Sequence, residues 1–341
     1  MSTAAILANP ASGKDIRRLV AHGSVFDNQE KVRITRRLIL GLVHAGVTRI
    51  LYMPDAYGIV PRALNAIVPG IPVEAVEMPM HGGQQDTVLA AGLMETLGAR
   101  CLVVLGGDGT SRAVCKGTTN VPILPLSTGT NNVFPFMVEA TIAGMAAGLV
   151  AAGRVSREQA CTQVCMLDIL RDGQSVDIAL VDAAVFADVF MASRAVWEMD
   201  KVPQLFMTRC RADAIGLSAI GGQLAAIAPE EPRGLALELG PASNRGNLAV
   251  VSAAIAPGMF AEVGVRRSAW MLPGEIHPVS ASPCLIAVDG EREVEIHRGH
   301  SAGVRLRTDG PWVVSVPRVM DLARELGLFT RRHAQTKGEK I

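Results

Sequence analysis

Short apolar runs alternate with amphipathic stretches over about the first 150 residues of this 341-residue chain. We predict strands over five of the apolar runs: 4–8, 49–53, 71–77, 101–105 and 121–126. We predict helices over three stretches whose apolar positions recur at helical spacing: 28–46, 58–67 and 88–97. Strands that alternate with helices form parallel sheets, so the pattern predicts an α/β domain with helices on both faces of a parallel sheet.

Beyond about residue 160 the pattern changes to strands separated by turn residues. Asp-Gly pairs, which favour two-residue hairpin turns, separate apolar or alternating runs at three places: 172–173, 289–290 and 309–310. Further strands are predicted at 234–239, 247–255 and 261–265. This half is therefore predicted to be β-rich and mainly antiparallel.

The pattern also predicts how the chain divides. We expect an α/β nucleotide-binding domain over 1–155 and a β-rich acceptor domain over 156–300. A C-terminal segment, 301–341, is expected to pack back toward the first domain, with a last helix over 317–329 that has Pro317 in its first turn. The tail from Thr330 is basic and polar, as frayed termini are.

Two local features of the predicted helices have structural interpretations. In 28–46, Val32 and Leu38 belong to the inner face, whereas Lys31 and the neighbouring arginines belong to a solvated outer face. Asp86 or Thr87 is expected to cap the helix 88–97.

Composition excludes several classes of function. Lys and Arg number 33 against 32 Asp and Glu, so the net charge of +1 gives no field that favours nucleic acid or an anionic membrane. Aromatic residues are only 4% of the chain, too few for a base-stacking surface. No apolar stretch reaches the roughly 20 residues of a membrane span. The six cysteines are scattered without paired spacing, which is typical of buried thiols in a reducing compartment, and we expect a cytoplasmic protein.

Three loops rich in small and polar residues follow predicted strands: 9–14 (NPASGK), 106–110 (GGDGT) and 127–132 (STGTNN). A helical pattern at 15–23 follows the first loop. The carboxyl ends of parallel strands collect at one edge of a sheet, so we expect the three loops to converge. Backbone amides, hydroxyls and side-chain amides suit phosphate and ribose oxygens, and a carboxylate such as Asp108 can hold Mg²⁺ or accept a proton.

Two acidic positions also have purely structural interpretations. Asp108 can simply hydrogen-bond its own glycine turn. The sequence 289–291, DGE, has the pattern of a type I′ hairpin turn that leaves Glu291 exposed. The residues alone leave both alternatives open.

The three loops together carry a family resemblance. LGGDGT at 105–110, PLSTGTNN at 125–132 and ANPASGK at 8–14 resemble motifs of the superfamily of NAD kinases, diacylglycerol kinases and sphingosine kinases. In the second half, 255–257 (IAP) and 287–291 (AVDGE) resemble the IAP segment and the DGQ turn of NAD kinases. Over nearly its whole length the chain is most similar to the ATP-NAD kinase-like group that contains acetoin-catabolism protein X.

The resemblance implies an ATP- and Mg²⁺-dependent kinase that phosphorylates a hydroxyl acceptor, and a homo-oligomer, since the family tends to form dimers or tetramers. It implies catalytic roles for Asp108 and for Glu291, which resembles the glutamate of the DGE motif of lipid kinases. The residues expected to bind the nucleotide lie in the three loops: Asn9, Ser12, Gly13, Gly106, Gly107, Gly109, Thr110, Ser127, Thr128, Gly129, Thr130, Asn131 and Asn132. Three acidic residues are expected to contact the acceptor: Asp182, Asp213 and Asp289.

The acceptor domain departs from the NAD kinase pattern at two places. The stretch 211–222 retains Asp213 and a serine but lacks the TPTGSTAY sequence of NAD kinases, and 179–182 retains only Asp182 of an Asn-acid pair. The acceptor is therefore open between NAD and a small alcohol, polyol or lipid, and the donor between ATP and polyphosphate. A non-catalytic nucleotide-binding regulator is the alternative from a different class.

Overall fold

The structure, a computed structural model, describes residues 1–13, 26–129, 132–187 and 199–330. The predicted helical pattern at 15–23, the tail from 331, Thr130 and Asn131 lie outside the described residues. Within the part of the chain that is described, no helix combines the length and apolar character needed to cross a membrane.

The strands of the first half are β1 (Thr3–Ala8), β2 (Arg49–Tyr52), β3 (Val73–Ala75), β4 (Leu102–Gly106), β5 (Ile123–Ser127) and β6 (Cys161–Gln163). Those of the second half are β7 (Met166–Arg171), β8 (Gln174–Ala179), β9 (Asp182–Phe186), β10 (Gln204–Met207), β11 (Gly234–Gly240), β12 (Ala249–Ala256), β13 (Met259–Met271), β14 (Ile276–Pro278), β15 (Cys284–Val288), β16 (Glu291–Ile296), β17 (Ala302–Arg307) and β18 (Trp312–Val314). The α-helices are α1 (Asn28–His44), α2 (Ile59–Leu64), α3 (Gln84–Thr96), α4 (Asp108–Gly117), α5 (Ala140–Ala151), α6 (Arg157–Ala160), α7 (Ser218–Gly222) and α8 (Val316–Glu325).

The first sheet has the strand order β3-β2-β1-β4-β5-β18-β6 and is parallel except for β6, which runs antiparallel to β18. Helices cover both faces. In β1 the side chains of Ala4 and Ile6 pack in the core with α1, α5 and α8, and Ala5 and Leu7 pack in the opposite core with α3 and α4. A strand buried on both faces reads as a continuous apolar run, which explains the sequence of β1.

The second half consists of two antiparallel sheets. A seven-stranded sheet has the order β12-β13-β11-β10-β9-β15-β16, and a four-stranded sheet has the order β14-β17-β7-β8. Their facing sides share one core, in which Ile169 and Leu306 of the small sheet pack with Val185, Phe206 and Ile286 of the large one. The predicted fold class, a parallel α/β domain followed by a β-rich, mainly antiparallel domain, is confirmed.

Two of the three Asp-Gly pairs form the predicted hairpins. At 172–173 and 289–290 both residues have positive φ angles, 51° and 78° in the first and 51° and 77° in the second, which is the conformation of a type I′ turn. The prediction is wrong for 309–310, because β17 and β18 belong to different sheets. A Cβ on Gly310 would lie 2.3 Å from the carbonyl oxygen of Val164, so this pair is part of a close backbone crossing.

The C-terminal part of the chain is shared between the sheets. β17 pairs with β7 in the small sheet, whereas β18 pairs with β5 of the first sheet and α8 joins its core. The helix begins at Val316 with a proline in its first two positions, as predicted. The domain boundaries at 155 and 300 stay predictions.

The predicted cap of α3 is wrong. The helix begins at Gln84 with Gly83 as the N-cap, so Asp86 and Thr87 lie inside it. The Asp86 carboxylate instead accepts hydrogen bonds from the backbone N–H groups of His81 and Gly82, at 3.0 and 2.8 Å. An acidic residue in the first turn can serve the preceding loop as well as the helix, and sequence alone does not separate the two uses.

Candidate functional site

The glycine-rich segment after β4 is the beginning of a helix. β4 ends at Gly106, Gly107 is the N-cap in extended conformation, and α4 begins at Asp108. No side chain in the described ranges caps this N-terminus. The amides of the first turn therefore have no intrahelical partner and carry the positive end of the helix dipole. Sequence analysis missed this helix because its first turn, GDGT, is rich in turn residues.

The three loops meet at the carboxyl ends of β1, β4 and β5, and hydrogen bonds join them. The Asn9 side-chain amide donates to Thr110 Oγ1 at 2.9 Å, and the hydroxyls of Ser12 and Thr128 lie 2.9 Å apart. The Thr128 N–H donates to the carbonyl oxygen of Gly106 at 3.2 Å. These contacts join the three loops into one hydrogen-bonded unit, in which Thr110 and Thr128 are buried.

The first loop is held by a buried cation. Lys31 of α1 has no exposed surface, and its Nζ donates to the carbonyl oxygens of Asn9 and Ser12 at 2.8 and 2.6 Å and to Asn28 Oδ1 at 3.1 Å. Gly13 follows with φ of 79°, and a Cβ there would lie 2.7 Å from the carbonyl oxygen of Thr128. Placing Lys31 on the solvated face was wrong, since its charge is satisfied by loop carbonyls rather than by water.

The third loop is ordered by its own side chains. Asn132 Nδ2 donates to Ser127 Oγ at 2.8 Å, and Ser127 Oγ donates to the carbonyl oxygen of Gly129 at 2.7 Å. The Asn132 side chain also lies against Gly107, with its Oδ1 2.8 Å from where a Cβ would stand. The described part of this loop therefore contacts the N-cap of α4.

Asp108 lies where the loops meet, partly buried. Its carboxylate accepts hydrogen bonds from the backbone N–H of Phe134 at 2.8 Å and of Val133 at 3.1 and 3.2 Å. Burial, and then the nearby charge of Asp289, raises the pKa of Asp108 from 3.8 to about 7. The hydrogen bonds from the two amides and the charge of Arg209 lower this pKa, but by less. Asp108 thus exchanges its proton near neutral pH.

Asp289 and Asp182 are buried between the sheets. The side chain of Asp289 accepts hydrogen bonds from the backbone N–H groups of Leu180, Val181 and Asp182 at 2.8 to 3.3 Å. Burial raises the pKa of Asp289 to about 6 although Arg112 lowers it. Burial, then the charges of Asp289 and Asp108, holds the pKa of Asp182 well above its usual range. The Asp289 carboxylate therefore binds backbone amides, and both residues are buried.

Glu291, the first residue of β16, packs against the first turn of α4. Its carboxylate is 2.8 Å from Arg112 and accepts a hydrogen bond from the Gln84 amide at 3.0 Å. A Cβ on Gly109 would lie 2.2 Å from this carboxylate. The side chain of Glu291 is 40% exposed, so it borders solvent while paired.

Arg112 connects both halves of the molecule. It is fully buried on α4, and its guanidinium also contacts Asp177 of β8 at 3.1 Å and Asp289 at 3.8 Å. A second cation, Lys116 of the same helix, lies 2.8 Å from Asp177. The site is therefore assembled from both domains through ion pairs on one helix.

A pocket of about 760 Å³ lies beside the third loop. One wall consists of 132–137 with Ser127 and Gly129, and a second consists of 313–317. A third wall is formed by Arg209, Arg211 and Asp213. Asp213 is 2.6 Å from Arg211, which lowers the pKa of the Asp213 carboxyl. Among the predicted acceptor residues, Asp213 lines this pocket, whereas Asp182 and Asp289 are buried elsewhere.

Within the residues that the structure describes, no cluster of three or more His, Cys, Asp or Glu side chains could hold a metal ion. The six cysteines are all buried and free. Kinases commonly hold Mg²⁺ through one or two carboxylates and the phosphates of the nucleotide, and Asp108 is the carboxylate at the junction of the loops.

Sequence reasoning missed four residues of this region: Lys31, Gln84, Arg112 and Arg209. Arg112 follows Asp108 by one helical turn, so recognising α4 would have placed it on the same side. Lys31 and Gln84 had no such signal, because their partners are distant in sequence. Arg209 and Arg211 are two residues apart, shortly after β10. Unless the end of that strand is known, this spacing does not indicate a binding site.

Two family models match the chain in consecutive parts. The ATP-NAD kinase N-terminal domain matches residues 6–155, so the first half is an NAD kinase-like domain. The acetoin catabolism protein X C-terminal domain matches residues 165–309. The chain is 39% identical over 300 residues to acetoin catabolism protein X of Cupriavidus necator, covering 85% of this chain and 83% of that protein. The chain belongs to the acetoin catabolism protein X family, as its motifs indicated.

Solved structures of kinases are also similar. Yeast NADH kinase complexed with NADH matches with a TM-score of 0.47 and 15% identity, over 99% of this chain and 90% of that one. A diacylglycerol kinase from Bacillus anthracis matches with a TM-score of 0.43 and 11% identity, over 93% of this chain and 98% of that one.

Proposed function

We propose that the protein is a kinase-type phosphotransferase that moves a phosphoryl group from a nucleotide to a hydroxyl group of a small acceptor. The observation that carries the proposal is Asp108, a carboxylate with a pKa raised to about 7 at the junction of three loops. A general base is most effective when its pKa lies near the working pH. The NAD kinase-like N-terminal domain supports the same class of reaction.

The donor would bind across the three loops. The uncapped N-terminus of α4 offers backbone amides to phosphate oxygens, and the half-buried Ser12 hydroxyl, held by Thr128, offers a further hydrogen bond. Asn132 would contact phosphate or ribose from the third loop. When bound, Mg²⁺ would neutralise charge on the phosphates, and Asp108 is the residue that would share it.

Asp108 would orient the acceptor hydroxyl and take its proton. As the acceptor oxygen bonds to the terminal phosphorus, the bond from that phosphorus to the bridging oxygen breaks and the nucleoside diphosphate leaves. The amides of Val133 and Phe134 hold the carboxylate in place for this transfer. Glu291 would have to leave Arg112 to act as a base, so we assign it the role of positioning the first turn of α4.

The acceptor stays open between two classes. NAD is one, by likeness to the kinases of that coenzyme. A small alcohol, polyol or lipid is the other, and the segment 211–222 favours it, since that segment lacks the TPTGSTAY sequence of NAD kinases. The relative from Cupriavidus necator is named for acetoin catabolism, which adds acetoin, a hydroxyketone, to the compounds worth testing.

The experiment incubates the purified full chain with Mg²⁺ and γ-labelled ATP, or with polyphosphate. The acceptors are NAD, acetoin, glycerol and a short-chain diacylglycerol in separate reactions. We expect labelled product with one acceptor, and its loss by about 100-fold or more in Asp108→Ala, the range of general-base contributions. Tight nucleotide binding with no product from any acceptor favours a non-catalytic regulator, and full activity of the folded variant refutes the role of Asp108.

A further inference from the structure

Arg209, which follows β10, is a buried cation whose hydrogen-bonding capacity is largely unused. Only 6% of its surface is exposed. Its guanidinium lies 4.7 Å from the centre of the Phe134 ring, and one terminal nitrogen donates to the Leu180 carbonyl oxygen at 3.4 Å. Within the described ranges Nε has no hydrogen-bond partner, and no carboxylate lies within ion-pairing distance of the guanidinium.

The described surroundings compensate this charge only through space, not through hydrogen bonds to a carboxylate. The nearby carboxylates of Asp108 and Asp289 favour the charged form of Arg209, but their oxygens are hydrogen-bonded to backbone amides. Burial lowers the pKa of Arg209 to about 10, so the side chain stays cationic at neutral pH. Burying a charge whose N–H donors are mostly unpaired is costly, and a bound molecule that supplies oxygen acceptors would recover that cost.

Arg209 lines the pocket of about 760 Å³ described above. Arg211, the other arginine in that lining, is exposed and already paired with Asp213 at 2.6 Å. The pocket lies beside the ends of β5 and β18, and the loop that follows β5 lines it. A molecule in this pocket would therefore share the third loop with a bound nucleotide.

We propose that the pocket binds the acceptor and that the Arg209 guanidinium receives an anionic group on it, a carboxylate or a phosphate. The planar guanidinium presents paired N–H donors that match either anion, and the Phe134 ring packs against it. The inference rests on the proposed phosphotransferase function. The same chemistry exists on the donor, whose terminal phosphate is the competing source of the anion.

The test uses inorganic phosphate as the probe, titrated calorimetrically into the full chain at constant ionic strength. Titrations are made with and without a saturating non-hydrolysable ATP analogue. The variant is Arg209→Met, which keeps an apolar stem without the charge. The matched control is Arg233→Met, because Arg233 also stacks on an aromatic ring, Trp270 at 4.5 Å, but pairs with Glu231 and does not line the pocket.

We expect phosphate to bind the wild type with the analogue present and to bind Arg209→Met at least about tenfold more weakly, as loss of a charge-assisted hydrogen bond predicts. Arg233→Met should bind as the wild type does. Equal binding to Arg209→Met overturns the proposal. Displacement of phosphate by the analogue, together with weaker analogue binding to Arg209→Met, assigns the arginine to the donor and also overturns it.

A second measurement separates this inference from the proposed function. Failure of the analogue to bind the wild type would count against the phosphotransferase, whatever phosphate does at Arg209. Turnover of glycerate and glycerol 3-phosphate is then compared with turnover of uncharged glycerol. A preference for the anionic compounds that disappears in Arg209→Met supports the inference, and a preference for glycerol contradicts it.

Discussion

Replacing Asp108 by Asn should stabilise the protein at high pH while removing activity. In the folded protein the pKa of Asp108 is raised from 3.8 to about 7, so folding favours the protonated carboxyl. The stabilisation from this proton is complete below about pH 4 and is lost as the pH rises through 7. At about 1.4 kcal/mol per pKa unit, the cost of holding the ionised carboxylate is about 4 kcal/mol at pH 8.

Asparagine removes this cost because it carries no charge, and its side-chain oxygen can accept one of the bonds from Val133 or Phe134. The free energy of unfolding of Asp108→Asn should therefore rise relative to that of the wild type between about pH 4 and pH 8, approaching the 4 kcal/mol difference. Coupling adds to the effect, since the charge of Asp108 also raises the pKa of Asp182.

The assay is urea unfolding of both proteins at pH 5, 6, 7 and 8, with phosphoryl transfer measured alongside. Asp213→Asn is the control, because Asp213 is exposed and Arg211 lowers rather than raises its pKa. That variant should not gain stability as the pH rises. A stability difference between Asp108→Asn and the wild type that is constant over this range would refute the buried-charge reasoning.

Two other substitutions test how the loops are held. Gly109→Ala should lose activity and about 1–3 kcal/mol of stability in urea unfolding, because its Cβ would overlap the Glu291 carboxylate that Arg112 holds. Gly92→Ala is the control. Its Cβ would meet only one atom, at 3.5 Å, so this variant should be as stable as the wild type or more stable. Lys31→Met should lose about 2–4 kcal/mol and weaken nucleotide binding measured by calorimetry, because the carbonyls of the first loop lose a buried donor. An unchanged melting temperature for Lys31→Met would contradict that role.

The overall architecture was predictable because it depends on local patterns. Buried parallel strands such as β1 read as continuous apolar runs, and the turns at 172–173 and 289–290 require the positive φ angles that Asp-Gly supplies. Residues 309–310 are also Asp-Gly, but the strands before and after them, β17 and β18, belong to different sheets. Long-range pairing of this kind is not encoded in the turn itself.

The candidate site was predictable only in part, for a similar reason. Residues of the three loops are adjacent in sequence to strand ends, so topology alone brings Asn9 to Thr110 and Ser12 to Thr128. Lys31 and Arg209 reach the site from a helix face and from the end of an antiparallel strand. Their charges resemble those of surface residues until burial is known, and burial depends on the assembled fold.

The ion pairs of Arg112 couple the position of α4 to that of the β-rich half. The buried guanidinium of Arg112 forms ion pairs with Asp177, Asp289 and Glu291 of the β-rich half. The first turn of α4 belongs to the second of the three loops. Any rotation of the β-rich half that preserves these ion pairs must carry the beginning of α4 with it. Near Arg112 the two halves would therefore move together, and an acceptor that shifts the β-rich half would also change the alignment of the phosphate-binding amides.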